Sequence, residues 1–152
     1  MIEDNVALGA AAGLVGTIPG LIINFIFVQS GISKLYAFQI SGGIFVPDRA
    51  NTGFLMFLLG AVVWLATSAL MGVIITYALD YTGRDFWWLK GIILTVTLLF
   101  IGLYGILFSM GGAHIVPLDL GTNLTLFLDN LVFGLATAYL SVRWGSKIRD
   151  GA

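Results

Sequence analysis

The sequence predicts an all-α fold: an integral membrane bundle of four transmembrane helices, with a short amphipathic helix in the first outer loop, forming one domain over residues 1–152. The first observation is that 59% of the residues are hydrophobic and only 10% are charged, whereas a soluble domain is roughly 45–50% apolar and about 25% charged. The second is a mean hydropathy of +1.00. The third is that the charged residues gather in short clusters between long uncharged runs. Because these charges are too few to cover a wet surface, lipid is the predicted solvent.

Four stretches of the chain are long and apolar enough to cross a bilayer. A spanning helix needs about 20 largely apolar residues, because each residue adds 1.5 Å and the hydrocarbon core is roughly 30 Å thick. We predict spans over residues 6–28, 54–79, 88–110 and 122–142. In lipid the backbone must make its hydrogen bonds within the segment, so these spans are predicted to be helices. Pro19 removes one backbone donor and is expected to kink the first.

The first outer loop, residues 29–53, contains a shorter apolar pattern with helical spacing. We predict an amphipathic helix that lies on the membrane surface and ends at Gly42 and Gly43. Its predicted apolar face consists of Ile32, Leu35, Tyr36, Gln39 and Ile40.

Basic residues set the predicted orientation. With four spans, both termini and the second loop share one side, which holds Arg84, Lys90, Arg143, Lys147 and Arg149. The other side holds only Lys34 and Arg49. The excess of basic residues on one side predicts a multi-pass plasma-membrane protein with both termini in the cytoplasm.

Glycine is abundant, with 20 residues, and several glycines recur at intervals of three and four. Such spacing places small residues on one helix face, where two backbones can approach closely. The predicted packing faces are Gly9, Gly13, Gly16 and Gly20 in the first span and Gly91, Gly102, Gly105 and Ser109 in the third. These faces could pack within one bundle, or they could pair with another copy or another membrane protein.

Several function classes are excluded by composition. The chain has no cysteine and a single histidine, which is too few for the usual catalytic zinc site of three protein ligands. A net charge of −1 offers no basic surface for nucleic acid. No phosphate-binding loop, nucleophile elbow or metalloprotease motif occurs. We therefore predict no cofactor, no metal, no nucleic-acid partner and no catalysis, and we expect the lipid bilayer and other membrane helices as partners.

Asp129 is the candidate functional residue, because an ionisable group inside a span is costly unless it is paired. Asn130 follows it, and Asn24 continues the glycine face of the first span at a similar predicted depth. We predict a buried polar cluster of Asn24, Asp129 and Asn130. It could be a proton-titrating or cation-coordinating site, an interhelical hydrogen-bond clamp, or a set of side chains that reaches a wet vestibule.

His114 and Asp119, in the third loop, are candidate outer contributors to that cluster. Together they could bind a metal ion or respond to external pH, since histidine titrates near neutrality. The alternative is that both are solvated loop side chains.

Three stretches carry a family resemblance: a glycine- and leucine-rich opening helix over 9–20, a hairpin that joins 60–79 to 91–110, and a closing helix that enters through polar residues at 128–134. In these features the chain resembles small four-span bacterial inner-membrane proteins of unknown function, of the YqhR and YagU type, over about its last hundred residues. That group often has a Gly-His pair near the position of Asp129, which is absent here, so the resemblance implies no site residue. It implies a plasma-membrane protein without an assigned activity.

Two functions are consistent with these patterns. The first is a structural or accessory membrane subunit that joins a partner through its glycine faces. The alternative is a small oligomeric channel or proton-coupled transporter centred on Asp129.

Overall fold

The computed structural model describes residues 4–45, 53–110 and 119–149, and within these ranges every regular element is helical. The helices are α1 (Asn5–Gly16), α2 (Ile18–Gln29), α3 (Ala37–Gly43), α4 (Phe54–Thr82), α5 (Trp87–Thr95), α6 (Gly105–Ser109) and α7 (Leu120–Arg149). A π-helical segment, Val96–Tyr104, joins α5 to α6. The predicted all-α class is therefore confirmed.

Within the described residues, four helical stretches are long and apolar enough to cross a membrane. They are Asn5–Gln29, Phe54–Thr82, Trp87–Tyr104 and Leu120–Gly145. Each overlaps one of the four predicted spans, so the number and order of the long apolar helices are confirmed.

The first of these stretches is divided at Thr17, between α1 and α2. Asp4 starts α1, because its Oδ1 accepts a hydrogen bond from the Val6 amide at 2.7 Å. Pro19 lies in the first turn of α2, where a missing backbone N–H is tolerated. Thr17 keeps right-handed helical angles, and hydrogen bonds of the α-helical type continue through it, from its amide to the Gly13 carbonyl at 3.1 Å and from the Leu21 amide to its own carbonyl at 3.0 Å. The kink expected from Pro19 is therefore limited to a one-residue interruption at Thr17.

Close backbone contacts hold the helices together. A Cβ atom on Gly9 would lie only 2.6 Å from the Cα of Val73, so α1 and α4 touch through their main chains. The main chains of α5 and α7 touch in the same way at Gly91 and Gly134, since a Cβ on Gly91 would overlap the Gly134 carbonyl oxygen. Contacts this close require a glycine at the point of approach, as expected for helices that pack without a hydrophobic drive.

The predicted glycine face of the third span does not extend past Gly91. A Cβ on Gly105 would meet no heavy atom within 4 Å, and one on Gly102 would meet only the Thr97 oxygen of its own segment, at 3.1 Å. Ser109 is exposed, and its hydroxyl donates to the Ile106 carbonyl at 2.8 Å. The reason is the π-helical segment: its i→i+5 hydrogen bonds widen each turn, so residues spaced for an α-helix rotate off the common face.

The short helix between α2 and α4 differs from its prediction in where it begins and in its buried face. It begins at Ala37, and it packs against the N-terminal end of α4. A Cβ on Gly42 would lie 2.6 Å from the Met56 carbonyl oxygen, so the two backbones are in contact. Ile40 is fully buried, whereas Ile32, predicted to share its face, is 45% exposed.

Candidate functional site

Asp129 lies about two and a half turns into α7, with none of its surface exposed. Neither carboxylate oxygen has a hydrogen-bond partner. The carboxyl group rests against Gly20 of α2: a Cβ at that position would overlap Oδ1 and lie 3.0 Å from Cγ. The absence of a side chain at Gly20 therefore leaves the space that the Asp129 carboxyl group occupies.

Asn24 lies one turn further along α2, but it does not bond to the acid. Its side-chain oxygen accepts a hydrogen bond from the Ala37 amide at 3.0 Å, and so satisfies an N-terminal donor of α3. Its side-chain nitrogen is buried without a partner. The predicted cluster is thus divided, since Asn24 supports α3 while Asp129 stands without a hydrogen bond.

A cavity of about 50 Å³ lies between α3, α4, the π-helical segment and α7. Its polar lining residues are Ser41, Trp64, Thr67, Ser68, Tyr104, Asp129 and Asn130. About 10–15 Å³ of such space holds one water molecule, so the cavity has room for a few water-sized groups. Asp129 and Asn130 are the only two of these residues that the sequence pattern identified.

Hydrogen bonds within the helices determine which donors and acceptors of the cavity lining remain available to a ligand. The Thr67 hydroxyl donates to the Val63 carbonyl at 2.8 Å, and the Ser41 hydroxyl donates to the Ala37 carbonyl at 3.1 Å. Asn130 donates through Nδ2 to the Leu126 carbonyl at 2.7 Å. A hydroxyl that has donated its single hydrogen still has lone pairs, so these side chains present mainly acceptors to a ligand.

Trp64 connects the cavity to Thr17, where α1 meets α2. Its indole N–H donates to the Thr17 hydroxyl at 2.9 Å. Beside this contact, Gly16 packs on Thr137 of α7, whose buried hydroxyl has no hydrogen-bond partner. The indole donor is therefore directed at another helix and is not free for a ligand.

Asp119 lies at the start of α7 and acts as its N-terminal cap. Its Oδ1 accepts from the Thr122 amide at 3.0 Å, and its Oδ2 accepts from the Thr122 hydroxyl at 2.7 Å. These bonds, the backbone one foremost, lower the pKa of the Asp119 carboxyl, and Lys34 at 3.9 Å acts in the same direction. His114, its predicted companion, lies outside the described residues, so their joint role stays a prediction.

Clusters of metal-ligating side chains are absent from the described ranges, where no group of three or more His, Cys, Asp or Glu residues occurs. The chemistry available at the cavity is that of one carboxyl group, neighbouring hydroxyl and amide oxygens, and the aromatic side chains of Trp64 and Tyr104.

No protein-family model, curated protein or solved structure matches the chain. The fold and the site together define a class: an all-helical protein, with four helices long and apolar enough to span a membrane, that buries one carboxyl group beside a cavity.

Proposed function

We propose that this protein is a small membrane transporter in which Asp129 binds and releases a proton. The observation that carries the proposal is a fully buried carboxyl group, without a hydrogen-bond partner, beside a cavity. A charged side chain at the centre of a spanning helix costs about 3 kcal/mol even on the mildest insertion scales. A carboxyl group in this position is stable when neutral, and it becomes charged when water or a cation reaches it.

The other two interpretations of Asp129 receive less support. A hydrogen-bond clamp needs a partner on a neighbouring helix, and neither oxygen of the side chain has one. A wet vestibule needs exposed surface, and the residue has none. An occluded site that exchanges its proton when the bundle opens agrees with both observations.

In this proposal the four long helices span the plasma membrane with both termini in the cytoplasm. The excess of basic residues on the side of the termini supports that orientation. Asp129, Asn24 and α3 then lie in the outer half of the bilayer, and the charged turn at Asp80 and Arg84 faces the cytoplasm.

The test is proton flux into proteoliposomes that contain a pH-sensitive dye, driven by a potassium diffusion potential in one series and by an outward sodium gradient in a second, so that both net proton transport and electroneutral exchange are detected. We expect Asp129→Asn, which keeps the shape of the side chain, to lower the flux at least tenfold. Asp80→Asn is the matched control, because Asp80 pairs with Arg84 at 3.6 Å far from the cavity. Equal flux in wild type and Asp129→Asn would refute the transport function.

A second candidate is an accessory subunit that joins a partner in the membrane. It is favoured by small residues that face away from the bundle, since Gly105 has open space around it and Ser109 is exposed. Extraction of the protein into native nanodiscs tests this, by copy counting and by co-purification from the host. A stoichiometric partner would support the accessory role, whereas a symmetric homo-oligomer with Asp129 at a cavity would support transport.

A further inference from the structure

We infer that the cavity beside Asp129 binds one small monovalent cation, which competes with the proton for the same carboxylate. The inference rests on the proposed function and names the class of ion that the site exchanges for a proton. Three properties of the site carry it: acceptor groups in the lining, a single negative charge, and a small volume.

Several polar groups of the lining present acceptors, while the hydroxyls of Ser68 and Tyr104 can donate as well as accept. The hydroxyl hydrogens of Ser41 and Thr67 are engaged by backbone carbonyls of their own helices, at 3.1 and 2.8 Å. The indole hydrogen of Trp64 is engaged by Thr17 at 2.9 Å. What these groups offer is oxygen lone pairs and the face of an aromatic ring, both of which attract a cation and repel an anion.

The charge of the site matches one positive charge. Residues 120–142 of α7 contain one acid, Asp129, and no basic residue. Among the elements packed around it, α1, α2 and α3 contain no titratable side chain, and the π-helical segment contributes Tyr104. Lys90 of α5 is engaged at the other end of the bundle, where its ammonium donates to the Thr82 and Gly83 carbonyls at 3.1 and 2.9 Å.

The remaining titratable side chains of α4 are also remote from the cavity. Tyr77, Asp80 and Tyr81 follow the cavity-lining residues of that helix, Trp64 to Ser68, by about two turns or more. A divalent ion would keep an uncompensated charge beside a single carboxylate, whereas a monovalent ion leaves the site neutral.

The volume limits the size of the ion. A cavity of about 50 Å³ admits a sodium or ammonium ion with little water, while sites for drug-sized molecules measure about 300–1,000 Å³. In this conformation the carboxylate oxygens lie against Gly20 and have no hydrogen-bond partner. In the inferred exchange the Asp129 side chain rotates towards the cavity, its proton passes to a water molecule, and the cation takes its place beside the carboxylate, so the site is neutral in both forms.

The experiment measures cation affinity from the unfolding midpoint of the whole protein in lipid nanodiscs. Sodium chloride or ammonium chloride is titrated against N-methylglucamine chloride at constant ionic strength, at two pH values one unit apart. If one cation replaces one proton, the apparent Kd should rise about tenfold for each unit of acidification while Asp129 is protonated. Tetramethylammonium, which is too large for the cavity, and exchange of chloride for gluconate should have no effect.

Two variants keep the test sharp. Asp129→Asn should abolish the cation-dependent shift, and Thr67→Val, which keeps the side-chain shape, should weaken binding between about two- and tenfold, as expected for one lost polar contact. Asp80→Asn should bind as the wild type does. The inference is overturned if no cation raises the unfolding midpoint, if the cation affinity does not depend on pH, or if Asp129→Asn binds the cation as well as the wild type does.

The outcomes also separate this inference from the transport function. Proton flux that depends on Asp129, without competition from any cation, would overturn the inference and leave the proposed function standing. Cation binding that competes with protons, without proton flux in proteoliposomes, would overturn the proposed function, and the inferred cation site would still stand.

Discussion

Gly20→Ala tests the central geometric feature of the site, the contact between α2 and the carboxyl group of Asp129. The added Cβ would overlap Oδ1, lie 3.0 Å from Cγ and lie 3.3 Å from the backbone oxygen of Asp129. The last distance needs only a few tenths of an ångström of adjustment, so the side chain, rather than the helix, has to move. Overpacking of this kind costs about 1–3 kcal/mol, and the better helix propensity of alanine recovers up to about 1 kcal/mol. We expect a net destabilisation of about 1–2 kcal/mol.

The assay is a double-mutant cycle on the free energy of unfolding, measured in mixed detergent micelles with Gly20→Ala, Asp129→Ala and the double variant. Truncation of the acid removes the atoms that the new Cβ meets. The two substitutions should therefore couple by about 1–2 kcal/mol, with the double variant more stable than additivity predicts. Gly105→Ala is the control, because its Cβ would meet nothing within 4 Å, and it should be neutral or slightly stabilising.

The cycle also has a result that contradicts the structure. If Gly20→Ala destabilises the protein equally with and without the Asp129 side chain, the new methyl group meets the backbone or another residue. The acid would then lie away from α2, and the space assigned to it beside Gly20 would be wrong.

Three further predictions concern the framework of the site. Asn24→Ala removes the acceptor for the first amide of α3, so it should cost about 1 kcal/mol of unfolding free energy and speed hydrogen exchange in α3 first. The two bonds from Thr122 lower the pKa of the Asp119 carboxyl. The folded protein is therefore stabilised above the unfolded pKa, near 4, and this stabilisation is lost as the pH falls through the lower folded pKa. Melting curves of Asp119→Ala should lack this acid-induced loss. Gly91→Ala should cost at least about 1–3 kcal/mol in the same micelle assay, because its Cβ would overlap the backbone oxygen of Gly134, which has no side-chain freedom to move away.

The four long helices could be predicted from the sequence because their cause is local. A run of about 20 apolar residues is a helix in lipid whatever its neighbours are, and residues 54–79 correspond to Phe54–Thr82 in the structure. The ends were less predictable. The closing helix starts at Leu120 because Asp119 caps it, two residues before the predicted start at 122.

The position of α3 could not be predicted, because its causes are distant in the chain. Asn24 accepts from an amide 13 residues later, and Gly42 allows α3 to touch the backbone of α4 at Met56. Helical spacing in the loop indicated that a helix forms there, but it carried no information on either contact. A pattern of apolar residues alone suggested a membrane surface.

The candidate site was predictable only in part. Asp129 was identified because a lone acid in an apolar run is conspicuous, and the cavity beside it was not, because side chains from α3, α4 and the π-helical segment form its wall. The failure at Gly102 and Gly105 has a separate cause. Their spacing presumes an α-helix, and the π-helical turns between Val96 and Tyr104 rotate them off the face.

The two halves of the first long helix, α1 and α2, meet at Thr17 and have different contacts in the bundle. Upstream of it, α1 is anchored backbone to backbone on α4 through Gly9. Downstream of it, one rigid segment, α2, carries both Gly20, which bounds the carboxyl group, and Asn24, which holds the first amide of α3. A tilt of α2 would therefore change the space around the acid and the hydrogen bond that caps α3 in the same movement.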